Sequence, residues 1–110
     1  GWATVCLDSI DHPEDKALLK NSLEEDGLEV IALSEDQIAH FAGNMLEVGS
    51  TTDENPIIVM SSSAFNSLNS DQKDILEKYG KLVHVTLDFI EACGGGSARC
   101  MMAEIHLPKC

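Results

Sequence analysis

Two glycines, Gly27 and Gly80, stand 53 residues apart, and each follows a helical pattern and precedes an apolar one. This self-similarity constrains the chain more than any other feature. A period near 50 implies units set side by side or radially, each burying its apolar face against the next. The first unit opens with Val5-Cys6-Leu7 and turns through 8–13. The spacing then predicts a helix from Glu14 to about Asp26, with Leu18, Leu19, Ser22 and Leu23 on one face. Asp11 and Glu14 have capping-pair spacing, and Gly27 falls where a helix takes a left-handed residue. Residues 28–33 read as a buried strand, 34–41 as a short helical turn and 44–48 as a further strand.

The second unit repeats the order. Residues 57–60 read as a strand and 61–68 as a polar turn. Asn69 and Gln72 form a second capping pair, ahead of a helix with Ile75, Leu76 and Tyr79 inward and the pair Asp74/Lys78 outward. Strand 82–87, helical turn 88–93 and strand 101–107 complete it. Asn44-Met45 and Cys100-Met101 fall at equivalent points, 56 apart. The expected fold is one α/β domain with repeats at 2–48 and 56–107, joined by a small polar linker at 49–55. Two such units leave an apolar flank and a strand edge uncovered, so a homo-oligomer or further preceding units are expected.

Composition narrows the function. With 12 Leu, 8 Ile, 6 Val and 3 Phe in 110 residues the chain has enough apolar side chains to fold. No apolar run approaches the ~18 residues of a membrane helix, and no export signal is present. Seven Lys/Arg against nineteen Asp/Glu leave a charge of −12, which argues against nucleic acid and against an anionic membrane surface as partners. Cys6, Cys93, Cys100 and Cys110 are therefore read as reduced thiols of a cytoplasmic protein. The spacing of Cys93, Cys100, His106 and Cys110 lacks a close paired knuckle, so no metal and no cofactor are expected.

The most unusual segment is Gly94-Gly95-Gly96-Ser97-Ala98-Arg99-Cys100-Met101. Glycines without Cβ let the backbone pass close to a ligand, and bare N–H groups there can form an anion nest. No Lys-Ser/Thr follows, so it is not a phosphate loop. Cys100 next to Arg99 is a candidate nucleophile, because nearby positive charge favours the thiolate. The ordinary alternative is a packed core cysteine. His12, His40, His84 and His106 are candidate proton shuttles, against the commoner solvated or half-buried imidazole.

That segment resembles the nucleophile motif of the arginine deiminase and amidinotransferase superfamily, the penteins. Val5–Ile10, Phe41-Ala42-Gly43-Asn44-Met45-Leu46 and Ile58-Val59-Met60-Ser61-Ser62 are similar to its citrulline utilisation hydrolase branch. The resemblance implies a five-bladed α/β propeller of ~50-residue repeats. It implies covalent catalysis at a guanidino or ureido carbon, by hydrolysis or amidino transfer, with Cys100 as nucleophile. Asn44, Gly95, Gly96 and Arg99 would lie at the substrate. The superfamily's histidine and carboxylate motifs would precede residue 1. The chain is thus expected to hold the nucleophile-bearing C-terminal part of such an enzyme, inactive alone. The alternative is a non-catalytic oligomeric module of the same fold.

Overall fold

The structure, a computed structural model, describes residues 1–49 and 55–105. Strand β1 (Trp2–Val5) leads through a 3-10 turn (Leu7–Ser9) into helix α1 (Pro13–Glu25). Strand β2 (Glu29–Ala32) returns parallel to β1, with Trp2 opposite Glu29 and Val5 opposite Ala32. Helix α2 (Glu35–Ala39) and strand β3 (Leu46–Val48) follow. Strand β4 (Ile57–Ser61), helices α3 (Ser62–Ser67) and α4 (Ser70–Tyr79) and strand β5 (Lys81–Val85) form a second parallel β–α–β crossover. Helix α5 (Asp88–Gly94) and a 3-10 turn (Ala98–Met101) come last.

The molecule is therefore mixed α/β with two sheets, β1-β2 and β3-β4-β5. Strand β3 pairs antiparallel with β4, Leu46 opposite Val59, so the second sheet takes its first strand from residues that the sequence places in the first repeat. The strand expected at 101–107 is not formed among the described residues. Residues 98–101 are a 3-10 turn, and 102–105 carry no ladder. The counterparts of β3 lie at 102–104 and are paired with no strand partner. A strand needs such a partner to satisfy its backbone. His106 and Leu107 lie outside the described residues.

Local signals explain most boundaries. Gly27 has φ 78°, and the amides of Gly27 and Leu28 bond to the carbonyls of Glu24 and Leu23. This is the paired closure that only a residue tolerating positive φ completes cheaply. Asp11 does not cap α1. Pro13 occupies the first helical position and forces the preceding residue into extended backbone, so His12 takes the boundary at φ −96° and ψ 125°. Ser34 with Gln37 and Asn69 with Gln72 each form a complete capping box, in α2 and α4. Gly80 ends α4 in extended backbone. A Cβ there would stand 2.7 Å from Pro56 O, the carbonyl that accepts from Lys81 N.

The core joins both halves. Ile31 and Leu33 of the first meet Ile58, Met60 and Leu76 of the second. Ile58 and Met60 alternate inward along β4, the middle strand. The expected inner face of α4 holds, with Leu76 buried and Ile75 and Tyr79 packed against the core. Lys78, however, pairs with Glu29 at 3.6 Å. Helix α1 buries no residue: Leu18 is 69 % exposed and Leu19 37 %, and in the two-stranded sheet beneath it packs mainly on β2.

Candidate functional site

The Gly-Gly-Gly segment is a helix stop joined to a tight turn. Gly94 is the last residue of α5, and Gly95 follows at φ 65°. A single left-handed residue replaces the expected run of bare amides. Ser97 is fully buried, and its Oγ donates to Glu91 Oε1 at 2.6 Å, tying the turn back to α5. Cys100 N donates to Ser97 O at 3.1 Å, closing the 3-10 turn. Gly96 lies against Cys100: a Cβ there would stand 3.0 Å from Cys100 Sγ. Gly95 faces open space.

Asn44 reaches the same turn from the other half of the molecule. After α2 the chain reverses through Phe41, a non-glycine residue at φ 63°, and Asn44 N donates to Phe41 O at 2.8 Å. Ala42 and Met45 are buried on either side and anchor the segment. Asn44 Nδ2 donates to Cys100 Sγ at 3.1 Å, and Asn44 Oδ1 accepts from Arg99 N at 2.9 Å. The two points equivalent by the 56-residue spacing thus meet in space.

Cys100 is exposed, yet its thiol is held below the usual thiol range. The Asn44 amide is the largest cause, the backbone around Ser97 the next, and the Arg99 guanidinium a smaller one; desolvation opposes them. The ordering differs from expectation, which rested on Arg99 and the glycine amides. A donor hydrogen-bonded to sulfur favours S⁻ over S–H more than a neighbouring charge does through water.

Arg99 is the chain's sole arginine. It lines an open cleft of about 530 Å³ with Trp2, Glu47 and Glu104, where Trp2 Nε1 donates to Glu47 Oε2 at 2.6 Å. Gly43 and Met45 line this cleft, but Asn44 and Cys100 do not.

No described histidine hydrogen-bonds Cys100. His12 is exposed at the start of α1. His40 ends α2 and faces Asp36. His84 bonds Ser62 Oγ at 3.0 Å and stacks on Phe65. Cys6, Cys93 and Cys100 are free thiols; His106 and Cys110 lie outside the described residues. Among the described residues no group of three or more His, Cys, Asp or Glu could hold a metal, and no helix is long and apolar enough to cross a membrane.

The family model for N,N dimethylarginine dimethylhydrolase, eukaryotic, matches residues 1–107. The chain belongs to this dimethylarginine dimethylhydrolase family. It is a family of guanidino-group hydrolases within the pentein superfamily, so the superfamily resemblance holds, while the citrulline utilisation branch gains no support. Neither the curated proteins nor the solved structures give a match. Within a dimethylarginine dimethylhydrolase-type sequence, Asn44, Gly96, Ser97 and Arg99 now have defined places around one thiol. Sequence reasoning missed the Ser97–Glu91 brace. It has no repeat counterpart or spacing rule that would reveal it.

Proposed function

We propose that the chain carries the thiolate nucleophile of a guanidino-group hydrolase, with Cys100 as the attacking atom and N,N-dimethylarginine the substrate that the family description suggests. The supporting observation is the Asn44 Nδ2–Cys100 Sγ hydrogen bond, which favours a thiolate in an exposed position. In this reaction Cys100 Sγ forms a bond to the guanidino carbon. The carbon–nitrogen bond to the amine breaks, and the amine leaves with a proton. Water then adds to the same carbon, the sulfur–carbon bond breaks, and a ureido product departs with the thiolate restored. Gly96 leaves room at the sulfur, and Arg99 N–H fixes Asn44. Gly95 and the Arg99 side chain are assigned to substrate contact by resemblance.

Protonation of the amine needs a general acid, typically worth about 10²–10⁴ in rate. The cationic group needs carboxylates to orient it, and positioning can supply ~7–11 kcal/mol. In this proposal both come from outside the described residues, and the chain alone does not turn over. The two parallel β–α–β crossovers are taken as two repeats of a five-bladed propeller.

An activated amidine separates thiol chemistry from acid catalysis. S-Methylisothiourea loses methanethiolate, which needs no acid, and would leave an amidino group on Cys100. Peptide mass spectrometry should find that adduct on Cys100 and none there in Cys100→Ala. Modification confined to the other thiols would refute the assignment. Dimethylamine release from N,N-dimethylarginine by this chain, lost in Cys100→Ala, would instead overturn the claim that it does not turn over alone.

The non-catalytic, oligomeric reading is favoured by one observation: Leu18, Val85 and Phe89 are exposed, Phe89 at 80 %. A sedimentation mass above one chain, with no Cys100 adduct, would support it.

A further inference from the structure

We propose that Asn44 is a positioning residue, which holds Cys100 Sγ as a hydrogen-bonded thiolate where the two repeat-equivalent segments meet. The inference rests on Cys100 being the nucleophile, and it adds a role for Asn44 exerted through the sulfur.

The argument begins with which end of the amide faces the thiol. Arg99 N is a backbone amide and can only donate. It lies 2.9 Å from one end of the Asn44 side chain, so that end is the carbonyl oxygen. The other end is then the NH₂ group, and it is this donor that lies 3.1 Å from Cys100 Sγ. The orientation follows from the partner's chemistry. A carboxamide nitrogen has no acceptor capacity, so it cannot take a proton from S–H. It can only donate to sulfur, and sulfur accepts far better as S⁻.

The amide is also held on its own side. Asn44 N donates to Phe41 O, and Phe41 sits in the left-handed region, where a bulky residue persists only when its surroundings fix it. Ala42 at 0 % and Met45 at 2 % exposure anchor the flanks in the core. One 3-10 turn supplies both partners, Arg99 N and Cys100 Sγ, so the amide reads position and charge together. Gly96 carries no Cβ, and one placed there would stand 3.0 Å from the sulfur.

The test is the pH–rate profile of Cys100 alkylation by iodoacetamide, followed by peptide mass spectrometry, in the native chain, Asn44→Asp and Asn44→Ala. Asn44→Asp keeps an acceptor for Arg99 N–H and places a carboxylate where the donor was. The expected result is a profile displaced to higher pH in both variants, further in Asn44→Asp, with the neutral-pH rate down roughly tenfold, the size of one charge-assisted hydrogen bond. Profiles superposing on the native one would overturn the proposal. A measurement on the native protein guards against misfolded variants: the ¹⁵N–¹H resonances of the Asn44 side-chain amide should titrate with the midpoint of alkylation. Resonances that stay fixed through that midpoint would overturn it. Failure of the nucleophile assignment looks different. The Asn44 variants would still move the profile, but S-methylisothiourea would leave no adduct on Cys100.

Discussion

Gln37 and Gln72 exchange amide hydrogen bonds across the boundary between the two halves. Gln37 Nε2 donates to Gln72 Oε1 at 2.7 Å, and Gln72 Nε2 donates back to Gln37 Oε1 at 3.1 Å. Each oxygen also accepts from the backbone of its own cap, Ser34 N or Asn69 N. The spare amide protons go to Ser67 O and Ala32 O, in each case across to the other half. Both side chains are buried, and all their hydrogen-bonding capacity is used.

Replacing either glutamine by methionine keeps its length and leaves the partner amide half-satisfied in the core. Gln37→Met and Gln72→Met should each destabilise by about 1–3 kcal/mol in urea unfolding. The double variant should cost less than the sum, since neither amide then remains to be satisfied. Strict additivity would mean that the pair does not act as a unit.

Gly96→Ala tests the crowding at the sulfur. The new Cβ would lie 3.0 Å from Cys100 Sγ and 3.1 Å from Cys100 Cβ, so the cysteine must shift by a few tenths of an ångström. A shift of that size disturbs the 3.1 Å contact to Asn44 Nδ2. Alkylation of Cys100 at pH 7 should slow several-fold with the melting temperature nearly unchanged, whereas Gly95→Ala carries only the backbone penalty of φ 65°.

Gly27→Ala isolates the left-handed penalty. Nothing lies within 4 Å of the added methyl, so packing is unaffected and only φ 78° opposes it. A loss of about 1–2 kcal/mol is expected in chemical denaturation. A neutral result would place Gly27 in ordinary backbone.

The thiol has a pH signature. Because the folded state holds Cys100 below its ordinary value, the unfolded state binds more protons between the two values. Stability contributed by this group is complete above the unfolded thiol value and is lost as pH falls through the folded one. The difference in stability between the native chain and Cys100→Ser should therefore grow with pH across that window. A pH-independent difference would contradict the shift.

Local codes were legible in the sequence and non-local ones were not. Gly27, and Asn69 with Gln72, act through neighbours three or four residues away, and they form as read. Ser34 and Gln37 carry the same spacing, though 34–41 reads only as a helical turn; the Gln37–Gln72 bond spans 35 residues and no pattern announces it. Asp11 lost to Pro13, whose ring moved the helix start by one residue. Apolar content points to a strand at 101–107, but a strand also needs a ladder, and residues 102–105 join none. The 56-residue equivalence of Asn44 and Cys100 hinted at their meeting. Only the Arg99 N–H contact fixes which end of the amide faces sulfur.

Limiting iodoacetamide at neutral pH, with peptide mapping of all four cysteines, tests the activated thiol most directly. Cys100 should be labelled first, and Cys100→Ala should lose the fast phase. Preferential labelling of Cys6, Cys93 or Cys110, or a fast phase unchanged in Cys100→Ala, would contradict it.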